Sequence, residues 1–300
     1  MMVRRLKIGR LVLVLAAAAV VGVLILCGPV ASGKNGAKTQ PAAGEFGAFT
    51  FAHFGDPQIG FAPDGIEAAK RRFISALRQA ADRKAAFIYV AGDQVHKRTK
   101  AEYDALDEAL KTARVPVKLT PGNHDVTGHK TLESYRAKYG RDYYVLTKNN
   151  CDFIFVNSML LSESSPWFRD KDAAFKAEVR AQWEWLENAL KQARAAKRNH
   201  VFLLTHVPPF LKSENEKAGY GNLPTDARRR LLALARARGV AAILVGHAHS
   251  NREISATGLK IYITGGTARV SGGAYGYRLF RVHKDRIEQE FVPLAAAPAK

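Results

Sequence analysis

The stretch Leu119-Thr120-Pro121-Gly122-Asn123-His124-Asp125 decides how the rest of the chain is read. A short apolar run, Val115 to Leu119, leads into it, and Pro121-Gly122 then turns the chain sharply. A strand that ends in Gly-Asn-His-Asp carries an amide, an imidazole and a carboxylate onto a loop at the carboxyl edge of a sheet, where α/β proteins gather their ligands. Gly, Asn and Asp are also common turn formers. Alone, the stretch fits a solvated turn as well as it fits a site.

Moving outward, other apolar strands end in the same kinds of side chain. Upstream, Ala48 to Gly55 reads as a strand followed by Asp56-Pro57-Gln58, and Ala86 to Ala91 is followed by Gly92-Asp93-Gln94-Val95-His96. Downstream, His200 to Thr205 runs into His206, and Ala241 to Val245 into Gly246-His247-Ala248-His249. Helices fill the spaces. Ile66 to Arg83 carries Ala69, Phe73, Ala76, Leu77 and Ala80 at helical spacing. Further helices are expected over Lys100 to Ala113, Leu132 to Tyr139 and Asp172 to Lys197, and from a cap at Thr225 or Asp226 to Arg238. Tyr143 to Leu146 and Asp152 to Asn157 read as strands about a Lys148-Asn149-Asn150 turn, and Arg252 to Val292 as strands and turns. Val207 to Leu223 is a loop long enough to be functional. Strands followed by helices imply βαβ units, and the β-rich middle and tail imply a second sheet. Two sheets packed face to face with helices outside fit this order. If the strands bearing Asp, Asn and His share one sheet, those side chains meet on one rim. Carboxylate, amide oxygen and imidazole together suit a borderline divalent metal.

The formal net charge of +19 raises the question of a nucleic-acid or membrane partner. The basic residues are spread along helical stretches such as Lys70-Arg71-Arg72, Lys191 to Arg198 and Arg228 to Arg238, without interleaved aromatics. They read as solvated helix faces, compatible with a phosphate-rich substrate, and no specific nucleic-acid binding is expected. Arg4, Arg5, Lys7 and Arg10 precede an uncharged run from Leu11 to Val30. This is the layout of an export signal, with Val30-Ala31-Ser32 as a cleavage point. The run is also long enough to be kept as a membrane anchor through residues 11–30. Either way the chain is expected outside the cytoplasm: periplasmic, secreted or anchored on the outer face. Residues 33–47 read as a linker and 295–300 as a tail. Two cysteines, Cys27 and Cys151, cannot make a four-thiolate zinc site. The chain has no Gly-x-Ser-x-Gly, P-loop or dinucleotide fingerprint.

The five blocks, from Asp56-Pro57-Gln58 to Gly246-His247-Ala248-His249, resemble in order the pattern of the calcineurin-like metallophosphoesterases. That pattern is Asp-x-His, Gly-Asp-x-x-(Asp/Asn), Gly-Asn-His-(Asp/Glu), a single His, and Gly-His-x-His. The resemblance implies an α/β fold, a four-layer α-β-β-α sandwich of two mixed sheets, over residues 48–294. It also implies two divalent metal ions, Mn, Fe or Zn. Asp56, Asp93 and His249 would hold one metal. Asp93 would bridge to the second, held also by Asn123, His206 and His247. His124 would assist the leaving oxygen as general acid, with Asp125 orienting it. Two positions depart from the pattern. Gln58 stands where the family has His, and its oxygen can still ligate. His96 stands where it has Asp or Asn, and it would line the substrate pocket or brace a ligand. Asn251 and Arg252, just after the His pair, are candidates to meet the phosphate. The variant blocks look like the subgroup that includes a serine/threonine phosphatase, which favours phosphomonoesters. Rival readings are a phosphodiesterase acting on cyclic nucleotides or phospholipid headgroups, and a non-catalytic binding module on the same fold.

Overall fold

A computed structural model describes residues 46–267 and 275–294. The expected export segment, most of the expected 33–47 linker, residues 268–274 and the expected 295–300 tail lie outside them. Among the described residues no helix is long and apolar enough to cross a membrane.

The first half alternates as the sequence demands: β1 (Phe49–Phe54), α1 (Gly65–Asp82), β2 (Ala85–Ala91), α2 (Lys100–Lys111), β3 (Val117–Thr120) and α3 (His129–Tyr139). β3 starts two residues later than the apolar run suggests, because Pro116 has no N–H to donate and only its carbonyl is used, by Ile88. The antiparallel pair β4 (Tyr144–Lys148) and β5 (Cys151–Phe155) follows. Asn149 and Asn150 both adopt left-handed backbone in its two-residue turn. α4 (Ala173–Ala195), β6 (His200–Leu204), α5 (Thr225–Ala237) and β7 (Ala242–Val245) complete the α/β part, and β8 (Arg252–Ala256), β9 (Leu259–Ile263), β10 (Gly276–Val282) and β11 (Ile287–Pro293) close the chain.

The strands form two mixed sheets, ordered β11-β10-β1-β2-β3 and β4-β5-β6-β7-β9-β8. Period-two alternation builds three cores from them. Phe51, Phe87, Tyr89, Phe153, Phe202 and Phe280 fill the space between the sheets. Ala52, Phe54, Ile88 and Val90, on the opposite face, pack under α1 and α2. Ile154, Val201, Leu203 and Ile243 pack under α4 and α5. This is the expected four-layer α-β-β-α sandwich.

The structure settles one open point and corrects one expectation. The strands that deliver the site do not share a sheet: β1, β2 and β3 lie in one, β6 and β7 in the other. The rim is therefore a seam between two sheets. Nor are all the arginines of the basic helices solvated. Arg72 is buried in α1 and pairs with Asp64, and Arg228 is fully buried in α5.

Candidate metal centre and active site

Each block sits on the loop that leaves a strand at the seam. The strain is concentrated there. Gln58, Asp93, His247 and His249 all have positive φ, between 36° and 63°, which costs a non-glycine residue free energy unless surrounding contacts impose it. The contacts that impose it are local. Gln58 N–H donates to the Asp93 carbonyl at 2.8 Å, and the His247 N–H to Asp56 Oδ1 at 3.1 Å. Glycine makes the close approaches feasible. A Cβ at Gly122 would run into the Asp93 carboxylate, and one at Gly246 would lie 2.7 Å from Asp56 Oδ1.

Four ligand atoms converge at the centre of the seam. His206 Nε2 lies 3.0 Å from Asn123 Oδ1, 3.1 Å from His247 Nδ1 and 3.4 Å from Asp93 Oδ2. Ligands at ~2.0–2.2 Å around one cation stand ~3–3.5 Å from each other, so this spacing is that of a coordination sphere. Among the described residues Asp93, His206 and His247 form a group whose ligand atoms are close enough to hold one metal ion. The far ring nitrogens are tied down. His206 Nδ1 donates to the Ala91 carbonyl at 2.6 Å and His247 Nε2 to the Tyr220 carbonyl at 2.8 Å. A carbonyl only accepts, so each ring turns its other nitrogen to the cluster.

A second set lies beside the first. His249 Nε2 is 3.2 Å from Asp56 Oδ2, yet Asp56 Oδ2 has no hydrogen bond, and neither does the buried Gln58 Oε1. Buried oxygens without donors are costly, and a cation satisfies both. The donor set of carboxylates, amide oxygens and imidazoles fits the two divalent metals that the fold family implies.

Electrostatics agree with this arrangement. Burial pushes the Asp56 carboxyl up. Burial pushes Asp93 the same way, but the charge on His206 and its hydrogen bond outweigh this and hold Asp93 well below the usual carboxylate range. Burial lowers His206, while Asp93 and then Asp56 lift it to about 9. His247 is pushed down to about 3 by burial and by the charge of His206.

His124 stands over this cluster. Its N–H donates to Asp93 Oδ1 at 2.8 Å, and its ring Nδ1 donates to the His96 carbonyl at 2.8 Å, which leaves Nε2 for a substrate. The expected role of Asp125 is corrected. Its carboxylate accepts from the backbone N–H groups of Gly122, at 2.8 Å, and Gln94, at 3.1 Å, so it braces two loops and the His96 carbonyl orients His124. Burial and then the Asp93 charge push Asp125 up to about 8. The His96 ring lies 4.8 Å from that of His124, and its Nδ1 is 3.5 Å from Gln58 Nε2, a contact that fits the bracing of a ligand. Asn251 and Arg252 are not brought in: Asn251 accepts from Arg278, and Arg252 is exposed at the start of β8. His53 is a packed strand residue, buried and stacked on Tyr89.

Sequence reasoning missed three neighbours. Tyr220 Oη accepts from Asn123 Nδ2 at 2.8 Å, Arg98 donates to the His124 carbonyl, and Phe61 packs at 5.7 Å from the His249 ring. Tyr220 had a signal, an aromatic residue between Gly219 and Gly221 in a long loop.

The sequence matches the family model described as calcineurin-like phosphoesterase over residues 49–251. It is 27% identical over 222 residues to the serine/threonine-protein phosphatase CPPED1 of Rattus norvegicus, covering 70% of this chain and 69% of that one. The fold is similar to that of a dimetal phosphatase from Danio rerio, with a TM-score of 0.65 at 14% identity over 81% of this chain and 95% of that one. It is also similar to a purple acid phosphatase from Lupinus luteus, with a TM-score of 0.61 at 14% identity over 84% and 52% of the two chains.

Proposed function

Since the chain belongs to the calcineurin-like phosphoesterase family, we propose that it hydrolyses phosphomonoesters, of a phosphoprotein or a small phosphorylated molecule, with Mn, Fe or Zn in its two sites. The observation that carries this reading is the four-atom convergence of Asp93, Asn123, His206 and His247 with His124 anchored directly on Asp93. Asp93, Asn123, His206 and His247 would hold one cation, and Asp56, Gln58 and His249 the other, with Asp93 between them. The chemistry the pair supplies when bound is an ionised water at neutral pH and charge neutralisation at the phosphoryl oxygens. The chain's own residues do the rest. Asp93 fixes the His124 backbone over the site, the His96 carbonyl fixes its ring, and Nε2 is left to hold a proton for the departing alkoxide. Arg98 tethers the same turn through the His124 carbonyl.

Monoester preference is supported by the relatives named serine/threonine-protein phosphatase. The test is the ratio of rates on phenyl phosphate and diphenyl phosphate with the Mn-reconstituted full chain. A strong monoester preference is expected. A diester preference would redirect the search to cyclic nucleotides or phospholipid headgroups. Two metals bound without turnover of either would favour a binding module.

Export is proposed on the basic cluster Arg4, Arg5, Lys7 and Arg10 ahead of the uncharged run to Val30. Residues 1–47 fused to a reporter that is active only after export should give signal, and a silent fusion would overturn the assignment.

A further inference from the structure

Among the described residues three large apolar side chains are exposed: Phe61, Val145 and Tyr220. Two of them, Phe61 and Tyr220, are at the candidate active site, beside His249 and Asn123. Tyr220 is already engaged, its hydroxyl by Asn123 and its carbonyl by His247. Phe61 is not. It keeps 38% of its surface in water, with its ring edge-on at 4.9 Å from the His96 ring. The His96 ring is in turn 4.8 Å from that of His124, tilted by 30°. A continuous row of rings thus runs from His124 outward through His96 to Phe61 at the rim.

The row is built on backbone that does not give. The loops after β1 and β2 are stitched together by the Gln58 N–H to the Asp93 carbonyl at 2.8 Å, Ile59 to Gln94 at 3.1 Å and His96 to Ile59 at 3.0 Å. Ile59 and Val95, the paired residues between these bonds, are fully buried. The Phe61 N–H closes the turn onto the Gln58 carbonyl at 2.9 Å. Two fixed rings beside His124, Phe61 standing edge-on to His96, are preorganised, so contact with them carries no ordering cost of its own.

We infer that Phe61 and His96 are the platform for the organic part of the leaving group, and that the preferred substrates are phosphate esters of aromatic or other planar alcohols. The inference rests on the phosphomonoesterase reading for the place of the leaving oxygen, at His124 Nε2. The His96 ring lies beside that of His124, 4.8 Å away, and Phe61 lies against His96. A planar group stacks on such faces whatever its polar substituents, whereas a small aliphatic group leaves them wet.

The test is binding of two non-hydrolysable probes, phenylphosphonate and methylphosphonate, to the Mn-loaded full chain by titration calorimetry. Both offer the same phosphoryl oxygens to the metals. The phenyl probe should bind ~10-fold tighter, the gain of one stacked ring. In Phe61→Leu, which keeps an apolar side chain of similar volume but removes the ring face, the preference should fall to ~3-fold or less. Phe61→Tyr should restore it. Equal affinity of the two probes for the wild-type chain overturns the inference, and so does a phenyl preference that survives Phe61→Leu. The two readings fail separately. A phenyl preference lost in Phe61→Leu, with no turnover of phenyl phosphate, would remove the hydrolytic reading and support the platform. Turnover of phenyl phosphate with equal phosphonate affinities would keep hydrolysis and remove the platform.

Discussion

The side chain of His124 has one hydrogen bond, from Nδ1 to the His96 carbonyl, and that contact decides which nitrogen does chemistry. With Nδ1 committed, Nε2 would carry the proton for the leaving group in the proposed reaction, and His124 is not expected to be a metal ligand. His124→Ala should therefore keep its metal while kcat falls by ~10²–10⁴. The loss should be steeper for alkyl phosphates, which need the proton, than for nitrophenyl phosphate, which does not. Metal analysis beside the rates checks this, and a variant that loses metal would make His124 a structural ligand instead. Tyr220 acts through another residue. Its hydroxyl fixes the Asn123 amide so that Oδ1 faces His206. Tyr220→Phe removes that bond but leaves the Tyr220 carbonyl on His247, so metal affinity measured by chelator competition should weaken by ~10-fold, at the low end for an outer-shell contact. An unchanged affinity would show that the phenol has no part in holding the amide. At this scale the side chains that gather at the seam were legible, because each block ends an apolar strand and its residue types have few other reasons to recur there. What Asp125 does was not legible. A carboxylate one residue from His124 invites pairing, and only the fold shows the Gly122 and Gln94 N–H groups that claim it.

The loop between β6 and α5 is the element that carries Tyr220, and its order comes from within. Val207, Phe210 and Leu223 are buried beneath it. Arg228, reaching back from the first turn of α5, donates to the Glu214, Glu216 and Leu223 carbonyls. The Glu216 carboxylate accepts from the N–H groups of Leu211, Lys212 and Ser213 and from Asn222. A loop of this length stays in one place only with such a network. Arg228→Met keeps most of the bulk but leaves three carbonyls without donors, at ~1–3 kcal/mol for a buried acceptor left unpaired. The expected outcome is faster tryptic cleavage at Lys212 or Lys217 under native conditions, together with weaker metal binding as Tyr220 is released. Unchanged cleavage would mean that the apolar contacts alone hold the loop. The sequence showed this loop as long and Gly-bearing but could not show its anchor. Arg228 begins a run of basic residues, and only the phase of α5, with Leu231, Leu232 and Ala235 on the same buried side, turns it inward.

Taken whole, the molecule is two sheets joined at a seam, and its candidate metal centre is the chemistry of that seam. Asp56, Gln58, Asp93 and Asn123 come from the strands of one sheet, His206, His247 and His249 from those of the other. Sequence could list these side chains but not divide them between sheets. That division depends on pairings such as β10 returning antiparallel to β1 from more than two hundred residues away. Cations at the seam therefore cross-link the two halves, and their removal should be felt by the whole fold. His206 sets the pH dependence. Burial lowers its pKa, but Asp93 and Asp56 outweigh burial and raise it to about 9, above the ordinary value of 6.5. In the chelated protein its ion pair stabilises fully below about 6.5 and is lost as pH rises through about 9. In the loaded protein the same nitrogen must give up its proton, so metal affinity rises over that interval. Both effects widen the gap between loaded and chelated protein as pH rises. Metal at ~100 times its Kd adds ~2.7 kcal/mol, which is ~5–10 °C in Tm for a domain of this size. Scanning calorimetry with and without chelator at pH 6, 7.5 and 8.5 should show that difference growing across the series. A difference that is constant or shrinks would mean that His206 is not the proton displaced on loading, and would remove it from the ligand set.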